Sequence, residues 1–218
     1  MIKISPSLLS SSLSDLKSEL IRIKDANADY AHVDCMDGHF VENIAFGPSF
    51  VSSLAKEHII PLDVHLMIEN PLKYIDAFLD GSDIITIHIE TISDENFFLI
   101  EQKVHQKGKK LGISLKPNTH YKELNKYLPY IDLVLVMSVM PGFSGQKFME
   151  SSFKTIKYLY DYRKQYSLNY LIEVDGGVNE SNYKALIESG VDILVSGNYL
   201  FKSNMKECIE QIKSYKKG

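Results

Sequence analysis

Short apolar runs rich in β-branched residues alternate along the chain with longer stretches in which polar and apolar residues are mixed. Runs of this kind, bounded by turn-forming residues, are typical of buried strands. The pattern predicts eight strands, over residues 2–8, 30–36, 61–67, 84–88, 110–115, 133–138, 170–174 and 193–195. Because the intervals between them have room for helices, the alternation indicates βαβ units and a parallel sheet.

The stretches between the strands show helical periodicity, because apolar residues recur three or four positions apart. Two of these stripes are Leu13, Leu16, Leu20 and Ile23 after the first predicted strand, and Tyr183, Leu186 and Ile187 after the seventh. Gly81, Gly108 and Gly190 each follow a helical pattern and precede a strand, where helix-ending glycines occur. Eight such units predict an α/β protein with a single domain over residues 1–218, folded as a (β/α)8 TIM barrel.

An open, doubly wound parallel sheet is the alternative that the same alternation allows. The first predicted strand lacks the G-x-G-x-x-G turn of a dinucleotide-binding unit. The polar residues suited to chemistry also stand at the ends of several different strands, which is how barrel active sites are built. Both observations favour the closed barrel.

Composition and charge narrow the classes of function. The 218 residues are 44% hydrophobic and 24% charged, as in a folded soluble protein. A net charge of −4 argues against binding to nucleic acid through a broad positive surface. The N-terminal residues form neither a signal sequence nor a membrane span, and Cys35 and Cys208 lack metal-type spacing. We therefore expect a cytoplasmic protein that binds neither nucleic acid nor a membrane.

Histidine and aspartate recur at the ends of three predicted strands. Alternation places His32 and Asp34 on one face of the second strand, His65 stands near the end of the third, and Asp175 follows the seventh. Since barrel strands present their carboxyl ends at one mouth, these four side chains could form a single metal site. Imidazole and carboxylate together suit Zn²⁺, Fe²⁺, Mn²⁺ or Co²⁺ better than Ca²⁺ or Mg²⁺. The sequence predicts one divalent ion here.

Each of these residues alone has a plainer explanation. A histidine at a strand end is usually a hydrogen-bonded core residue, and an aspartate there often caps the next helix. Four such residues at three strand ends make coincidence a poor explanation. His88 and Glu90 repeat the spacing at the fourth strand, and we assign them a supporting or structural role rather than metal ligation.

Three glycine-containing segments indicate a phosphorylated substrate. Residues 141–146 follow the sixth predicted strand, are too glycine-rich to begin a regular helix, and predict a mobile loop over the site. Residues 175–177 end the seventh strand, and residues 196–198 follow the eighth. Barrels often bind phosphate at these two positions, through backbone N–H groups and the start of a short helix. Because glycines also occur in ordinary tight turns, the prediction of phosphate binding depends on where these segments lie, directly after the seventh and eighth strands.

Methionines gather near the same strand ends, at positions 36, 67, 137 and 140. For any one of them, filling a gap in the core is the simpler role. Several methionines around two carboxylates would form a dry wall, which would disfavour ionisation and help one aspartate stay protonated.

Several segments together resemble the signatures of the ribulose-phosphate 3-epimerase family. They are ISPSLLS from residue 4, HVDCMDGHFV from residue 32, DVHLM from residue 63, PGFSGQKF from residue 141 and EVDGGV from residue 173. The resemblance spans nearly the whole chain. It implies a ribulose-phosphate-binding barrel, usually oligomeric, that interconverts D-ribulose 5-phosphate and D-xylulose 5-phosphate with a divalent metal.

The resemblance also implies roles for individual residues. The metal ligands would be His32, Asp34, His65 and Asp175, with Asp34 as proton acceptor and Asp175 as proton donor in one direction. One carboxylate would remove the C3 proton, and the other would protonate the enediolate from the opposite face. The resemblance implies contacts with the substrate for Ser7, His65, Met36, Met67, Met137, Gly142, Phe143, Ser144, Gly145, Asp175, Gly176, Gly177, Gly197 and Asn198.

The chain departs from the family pattern at Glu42, Met140, Ser144 and Asn198. The last three lie close to the expected substrate, so D-allulose-6-phosphate 3-epimerase, which acts on a ketose one carbon longer, is the alternative activity. A non-catalytic sugar-phosphate binding barrel is a second alternative, and the intact metal set argues against it. A metal-dependent aldolase or decarboxylase is less favoured, because no lysine stands at a strand end in an obvious Schiff-base position. Lys116 is the nearest candidate.

Overall fold

Nine strands form one curled sheet in a computed structural model that describes residues 2–217. The strands are β1 (Lys3–Pro6), β2 (Ala31–Asp37), β3 (Ile44–Ala45), β4 (Leu62–Met67), β5 (Ile84–His88), β6 (Lys110–Leu115), β7 (Leu133–Met137), β8 (Leu171–Asp175) and β9 (Ile193–Ser196). All except β3 pair in parallel with their neighbours, in the order β1-β9-β8-β7-β6-β5-β4-β2-β3. The predicted eight-stranded barrel is confirmed.

Contacts between β1 and β2 close the sheet into a barrel. Ser7 and His32 form a parallel bridge, and the Ile4 carbonyl accepts from the backbone N–H groups of Asp29 and Tyr30 at 2.9 and 3.3 Å. The first strand is therefore joined to β9 on one side and to β2 on the other. Closure brings the carboxyl ends of all eight parallel strands around one mouth.

The helices cover the outside of the sheet. They are α1 (Leu16–Asp25), α2 (Pro48–Ala55), α3 (Pro71–Leu79), α4 (Asp94–Gln106), α5 (Ser152–Gln165), α6 (Tyr183–Ser189), α7 (Asn198–Phe201) and α8 (Met205–Ser214). Two 3₁₀ turns, Tyr121–Lys126 and Leu128–Tyr130, replace the regular helix between β6 and β7. None of the helices between residues 2 and 217 combines the length and apolarity that crossing a bilayer requires.

The structure corrects the predicted elements at two places. The short strand β3 was not predicted, because two residues cannot display a period; it pairs antiparallel with Met36 and Asp37 of β2. Leu13 does not belong to the buried stripe of the first helix and is 52% exposed. Asp15 caps α1 by accepting from the Ser18 N–H, so the helix begins after Leu13.

Three predicted strands were also too long, and the one predicted over 61–67 begins only at Leu62. The first ends at Pro6 rather than residue 8, because the chain turns into a 3₁₀ turn (Leu8–Ser10) closed by a bond from Ser10 N–H to the Ser7 carbonyl. The strand predicted over 133–138 ends at Met137. Leu8 is buried in either conformation, so its apolar character could not distinguish strand from turn.

The buried apolar residues form two larger clusters and a small one of Met36, Val41 and Met67, and the alternation along β2 explains the separation. Its residues alternate, so that Ala31, Val33 and Cys35 join the large apolar cluster that includes the helices. A second cluster contains residues from β5, β7 and β9, including Ile84, Leu135 and Ile193. Side chains that fill a barrel from alternate strands form such a layer, which leaves the opposite end of the interior for polar groups.

Candidate active site

Three strands carry the four predicted metal ligands to one point. His32 and Asp34 come from β2, His65 from β4 and Asp175 from the end of β8. Asp34 and His65 are direct neighbours in the register of β2 and β4. One donor atom from each of the four residues lies within 4.8 Å of the others. The fold therefore brings together the residues that the strand ends indicated.

Asp34 is at the centre of this cluster. Its Oδ1 lies 3.3 Å from His32 Nε2 and 3.3 Å from His65 Nδ1, and its Oδ2 accepts from the Ser7 hydroxyl at 2.7 Å. The bridge that closes the barrel thus also places Ser7 against the carboxylate. Asp34 is nearly fully buried, so these contacts replace the water that it would otherwise bind.

The arrangement fits a divalent cation. His32 Nδ1 lies 2.6 Å from Asp63 Oδ2, while His32 Nε2 is buried and without a hydrogen-bond partner among residues 2–217. An imidazole held by a carboxylate on one nitrogen, with the other nitrogen free, is a common arrangement for a metal ligand. Two such nitrogens with two carboxylates match the ligand preferences of Zn²⁺, Mn²⁺, Fe²⁺ and Co²⁺.

The two candidate catalytic carboxyls have opposite electrostatic environments. Burial alone would raise the pKa of Asp34, but the adjacent His32 and His65 outweigh it and hold that pKa well below its usual range. Burial, and then the negative charge of Asp34, raise the pKa of Asp175 to about 7. One carboxyl is therefore held ionised and the other is held as an acid near neutral pH, as an acid–base pair requires.

Two further carboxyls, Asp63 and Glu173, lie behind the site and are fully buried. Burial, followed by repulsion from Asp63, raises the pKa of Glu173, so this side chain is a neutral acid inside the barrel. The sequence analysis assigned neither residue a role. A signal was available, because each stands two positions before a predicted ligand and therefore on the same inward face of its strand.

A cavity of about 420 Å³ opens beside Asp34 and Asp175 at the mouth of the barrel. The predicted substrate residues that line it are Ser7, Met36, Met67, Met137, Gly142, Phe143, Ser144, Gly145, Asp175, Gly176, Gly177, Gly197 and Asn198. His65 is fully buried and is not part of this lining, although it was expected to contact the sugar as well. Met36, Met67 and Met137 are almost completely buried and form an apolar wall beside the carboxyls.

The segment after β7 folds over this cavity as irregular backbone. The Asn43 amide donates to the Gly142 carbonyl at 2.8 Å, and the Gln146 amide donates to the carbonyls of Met140 and Phe143 at 2.7 and 2.9 Å. The Asn43 bond fixes the loop to the residues that follow β2, and the two Gln146 bonds hold the loop together internally. The predicted mobility of the loop stays a prediction.

At two glycines of the predicted phosphate turns an added side chain would meet a close neighbour, which is backbone at Gly177 and the end of a side chain at Gly197. At Gly177 a Cβ atom would meet the Phe148 nitrogen at 2.5 Å, and its φ of +64° is one that other residues adopt with strain. At Gly197, which precedes α7, a Cβ atom would meet the Ser10 hydroxyl at 2.3 Å. Ser10 Oγ is buried, lacks a hydrogen-bond partner in the described part of the chain, and lines the cavity. The sequence analysis gave Ser10 no separate role.

The supporting histidine predicted at the fourth strand contacts a candidate ligand. His88 Nε2 lies 2.9 Å from His65 Nε2, and its Nδ1 lies 3.0 Å from Glu90 Oε2. Burial lowers the pKa of His88 to about 4, so the ring is neutral. The group of residues able to hold a metal does not include His88.

The fold and the site together define the class of protein. It is a closed β/α barrel enzyme in which a cluster of two histidines and two aspartates lies under a loop-covered cavity. Comparison with known proteins gives the particular family. Residues 3–201 match the model of the ribulose-phosphate 3 epimerase family, so the chain belongs to that family, as the sequence motifs predicted. Its members are isomerases that act on carbohydrates.

Curated relatives agree over nearly the full chain. The ribulose-phosphate 3-epimerase of Bacillus subtilis strain 168 is 40% identical, with 99% of this chain and 100% of the relative covered. That of Helicobacter pylori strain J99 is 39% identical, with 98% and 97% covered. The chloroplastic ribulose-5-phosphate-3-epimerase of Arabidopsis thaliana is 39% identical, with 99% and 78% covered.

Solved structures support the fold alone. KGPDC from Streptococcus mutans superposes with a TM-score of 0.72 at 11% identity, covering 98% of this chain and 96% of that one. A mutant tryptophan synthase α-subunit from Pyrococcus furiosus gives a TM-score of 0.68 at 13% identity, with 98% of each chain covered.

Proposed function

We propose that this protein inverts the configuration at C3 of a ketose phosphate, and that it interconverts D-ribulose 5-phosphate and D-xylulose 5-phosphate. The observation that carries the proposal is the pair of carboxyls at the cavity, Asp34 and Asp175, which belong to one cluster of possible metal ligands and lie in opposite electrostatic environments. They come from β2 and β8, which are three strands apart in the barrel, so they approach a bound molecule from different directions.

The chemistry starts from a hydrogen beside a ketone, which is too weakly acidic to leave at neutral pH without help. His32, Asp34, His65 and Asp175 would hold a divalent cation, which would supply a Lewis acid that stabilises developing negative charge on oxygen. Asp34 accepts the C3 proton. Asp175 delivers a proton to the opposite face of the enediolate, and the two roles exchange in the reverse direction.

The remaining residues hold the substrate and keep water out. The buried faces of Met36, Met67 and Met137 give the reacting carbon apolar surroundings. The loop over residues 141–146 covers the cavity, which protects an enediolate from protonation by solvent. Backbone N–H groups near Gly177 and Gly197 would bind the phosphate, a use that glycine permits because no Cβ atom blocks the approach.

The choice of a five-carbon substrate rests on the relatives, three of which carry names that specify ribulose phosphate at about 40% identity over nearly the whole chain. Ser144 and Asn198, where the chain departs from the family pattern, both line the cavity. Substitutions at these two positions would test whether they determine the length of the ketose that the cavity accepts. As in the family, we expect a homo-oligomer, which light scattering would check.

One assay tests this proposal. Purified protein of measured metal content is given D-ribulose 5-phosphate or D-allulose 6-phosphate in D₂O, and both turnover and deuterium at C3 are followed. We expect turnover of the pentose phosphate with deuterium incorporation. Faster turnover of the hexose phosphate would show that the substrate is D-allulose 6-phosphate instead. If neither compound gave turnover or deuterium exchange, the protein would be a sugar-phosphate binding barrel without this activity.

A further inference from the structure

The cavity beside the candidate metal centre has an uneven charge. Two carboxyls, Asp34 and Asp175, and one ammonium group, that of Lys202, belong to its lining. A phosphate monoester is close to a dianion at neutral pH, so a ketose phosphate brings further negative charge into this space. Within residues 2–217, Lys202 is the single basic residue that lines the cavity. It is therefore the one residue of this lining whose side chain can offset the charge of the phosphate.

Lys202 lies at the end of the cavity where the phosphate is expected. It directly follows α7, and Gly197, Asn198 and Lys202 all line the cavity. Asp34 is nearly fully buried, whereas Lys202 is exposed. The lysine and the candidate base thus belong to the solvent side and the base of one cavity, as the two ends of a sugar phosphate require.

Helix geometry directs the lysine side chain back toward the start of α7. The Lys202 N–H donates to the Asn198 carbonyl at 3.0 Å, so the two residues lie one turn apart on the same face. Side chains on a helix lean toward its N-terminus, and the four-carbon stem of lysine spans about one turn, roughly 5.4 Å. The ammonium group can therefore reach the first turn of α7, beside Gly197.

The loop after β7 closes against this same place. A Cβ atom added to Gly145 would lie 2.7 Å from Asn198 Nδ2, and one added to Gly177 would lie 2.5 Å from the Phe148 nitrogen. The loop therefore lies against both of the predicted phosphate turns. A phosphate enclosed between them is partly removed from water, so a nearby ammonium group attracts it more strongly than it would at an open surface.

Lys202 is also free to bind an anion. Its ammonium group has no carboxylate or carbonyl partner in the part of the chain that the structure describes. Lys213 differs, because its ammonium group lies 2.7 Å from Asp29 Oδ2 and donates to the Asn27 carbonyl at 2.7 Å. An anion that binds Lys202 therefore breaks no existing ion pair.

We propose that the Lys202 ammonium group binds the phosphate of the substrate. It supplies the positive charge that backbone N–H groups near Gly177 and Gly197 do not carry, through an N–H donated to a phosphate oxygen. The inference rests on the proposed function, since it assigns a residue to the phosphate of that substrate. Lys202 is a substrate-binding residue in this account, and it takes no part in moving the proton.

Kinetics test the proposal with a matched pair of variants. Lys202→Gln removes the charge, and Lys206→Gln removes the charge of an exposed lysine in α8 that does not line the cavity. With D-ribulose 5-phosphate, we expect KM to rise about 10-fold in Lys202→Gln, with a smaller change in kcat, and to stay unchanged in Lys206→Gln. Lys202→Arg, which keeps the charge, should recover most of the wild-type KM. A wild-type KM in Lys202→Gln would overturn the inference.

A second measurement does not depend on turnover. Inorganic phosphate is titrated calorimetrically into the purified proteins, and we expect about 10-fold weaker binding to Lys202→Gln than to wild type or Lys206→Gln. Added NaCl should weaken phosphate binding to wild type more than to Lys202→Gln. Equal phosphate affinity in wild type and Lys202→Gln would refute the inference, even if the protein is an active epimerase. If no ketose phosphate is turned over but Lys202→Gln still loses phosphate affinity, the proposed reaction fails and the anion-binding role of Lys202 stands.

Discussion

At the scale of single residues, the site depends on one type of side chain in two electrostatic environments. Asp34 has histidines beside it and a hydroxyl donor from Ser7, whereas Asp175 has Asp34 as its charged neighbour. In the proposed mechanism, the same carboxyl group therefore serves as base at one position and as acid at the other. Neither role depends on the side chain alone.

Replacing Asp34 or Asp175 by asparagine should abolish epimerisation while retaining the fold. An amide has nearly the shape of the carboxyl but cannot exchange the proton, so we expect turnover to fall by about 10³-fold in each variant. Steady-state kinetics with circular dichroism on the same samples would check this. Near-normal turnover in either variant would contradict the two-carboxylate mechanism.

Gly177→Ala tests why a glycine stands beside the cavity. Gly108 supplies the matched control, because its φ of +67° is similar but no atom lies within 4 Å of a Cβ added there. Gly108→Ala should lose only the left-handed backbone term, about 1 kcal/mol of unfolding free energy, with unchanged KM. Gly177→Ala should lose more and raise KM by ~10-fold, because Phe148 must move. Equal losses from denaturant titration would show that the close approach to Phe148 is unimportant.

At the scale of elements, contacts between neighbouring βα units hold the helices in place against the sheet. His105 at the end of α4 is an example, because its Nδ1 lies 2.8 Å from Glu101 and its Nε2 lies 3.0 Å from Asp132, just before β7. Burial lowers the pKa of His105, but the two carboxylates outweigh this effect and raise it above the usual value. A titratable group thus ties α4 to the residue that precedes β7.

His105→Gln should therefore have a pH-dependent effect on stability. A raised histidine pKa means that the stabilisation is fully present below about pH 6.5, the unfolded value, and is lost as pH rises through the folded pKa. We expect the variant to lose about 0.2–1 kcal/mol at about pH 5.5 and less at about pH 8.5. Urea titrations at both pH values measure the difference, which added salt should reduce. The same loss at both pH values would argue that the ring, rather than its charge, matters.

At the scale of the whole molecule, barrel closure decides whether a site exists. His32, Asp34, His65 and Asp175 are spread over more than half of the chain, and only the join between β1 and β2 brings β8 beside β2 and β4. Asp34, Asp63, Asp175 and Glu173 also place four carboxyls inside one barrel end. Glu173 is neutral there, but the charge of Asp34 opposes ionisation of Asp175, and a cation bound between them would remove that opposition.

A divalent metal should therefore stabilise the whole protein. Binding to the folded state alone contributes about 2.7 kcal/mol at roughly 100 times Kd, which corresponds to a rise in Tm of several degrees for a chain of this size. Calorimetry with Mn²⁺ or Co²⁺ and with chelator would measure it. Asp175→Asn should lose most of the rise, while His105→Gln, far from the site in the fold, should keep it. A rise that survives in Asp175→Asn would place the metal elsewhere.

The sequence by itself determined the period of each element and the face on which polar residues lie. Alternation is local, so His32 and Asp34 could be assigned to one face of β2, and the run of βα units to a barrel, before any contact was known. The family motifs supported the same residues. Errors arose where burial is the same in two conformations, as at Leu8, or where an element is too short to show a period, as at β3.

Only the tertiary structure decided what each carboxyl does. The sequence contains Asp34, Asp63, Glu173 and Asp175 as four similar acids, and nothing local to each one separates base, acid and support. Apart from His32, two positions before Asp34, the partners that distinguish these acids lie 27 or more positions away, such as Ser7 and His65 on Asp34, and His32 on Asp63. Protonation depends on the field of all nearby charges and on burial, and both exist only once the barrel is closed.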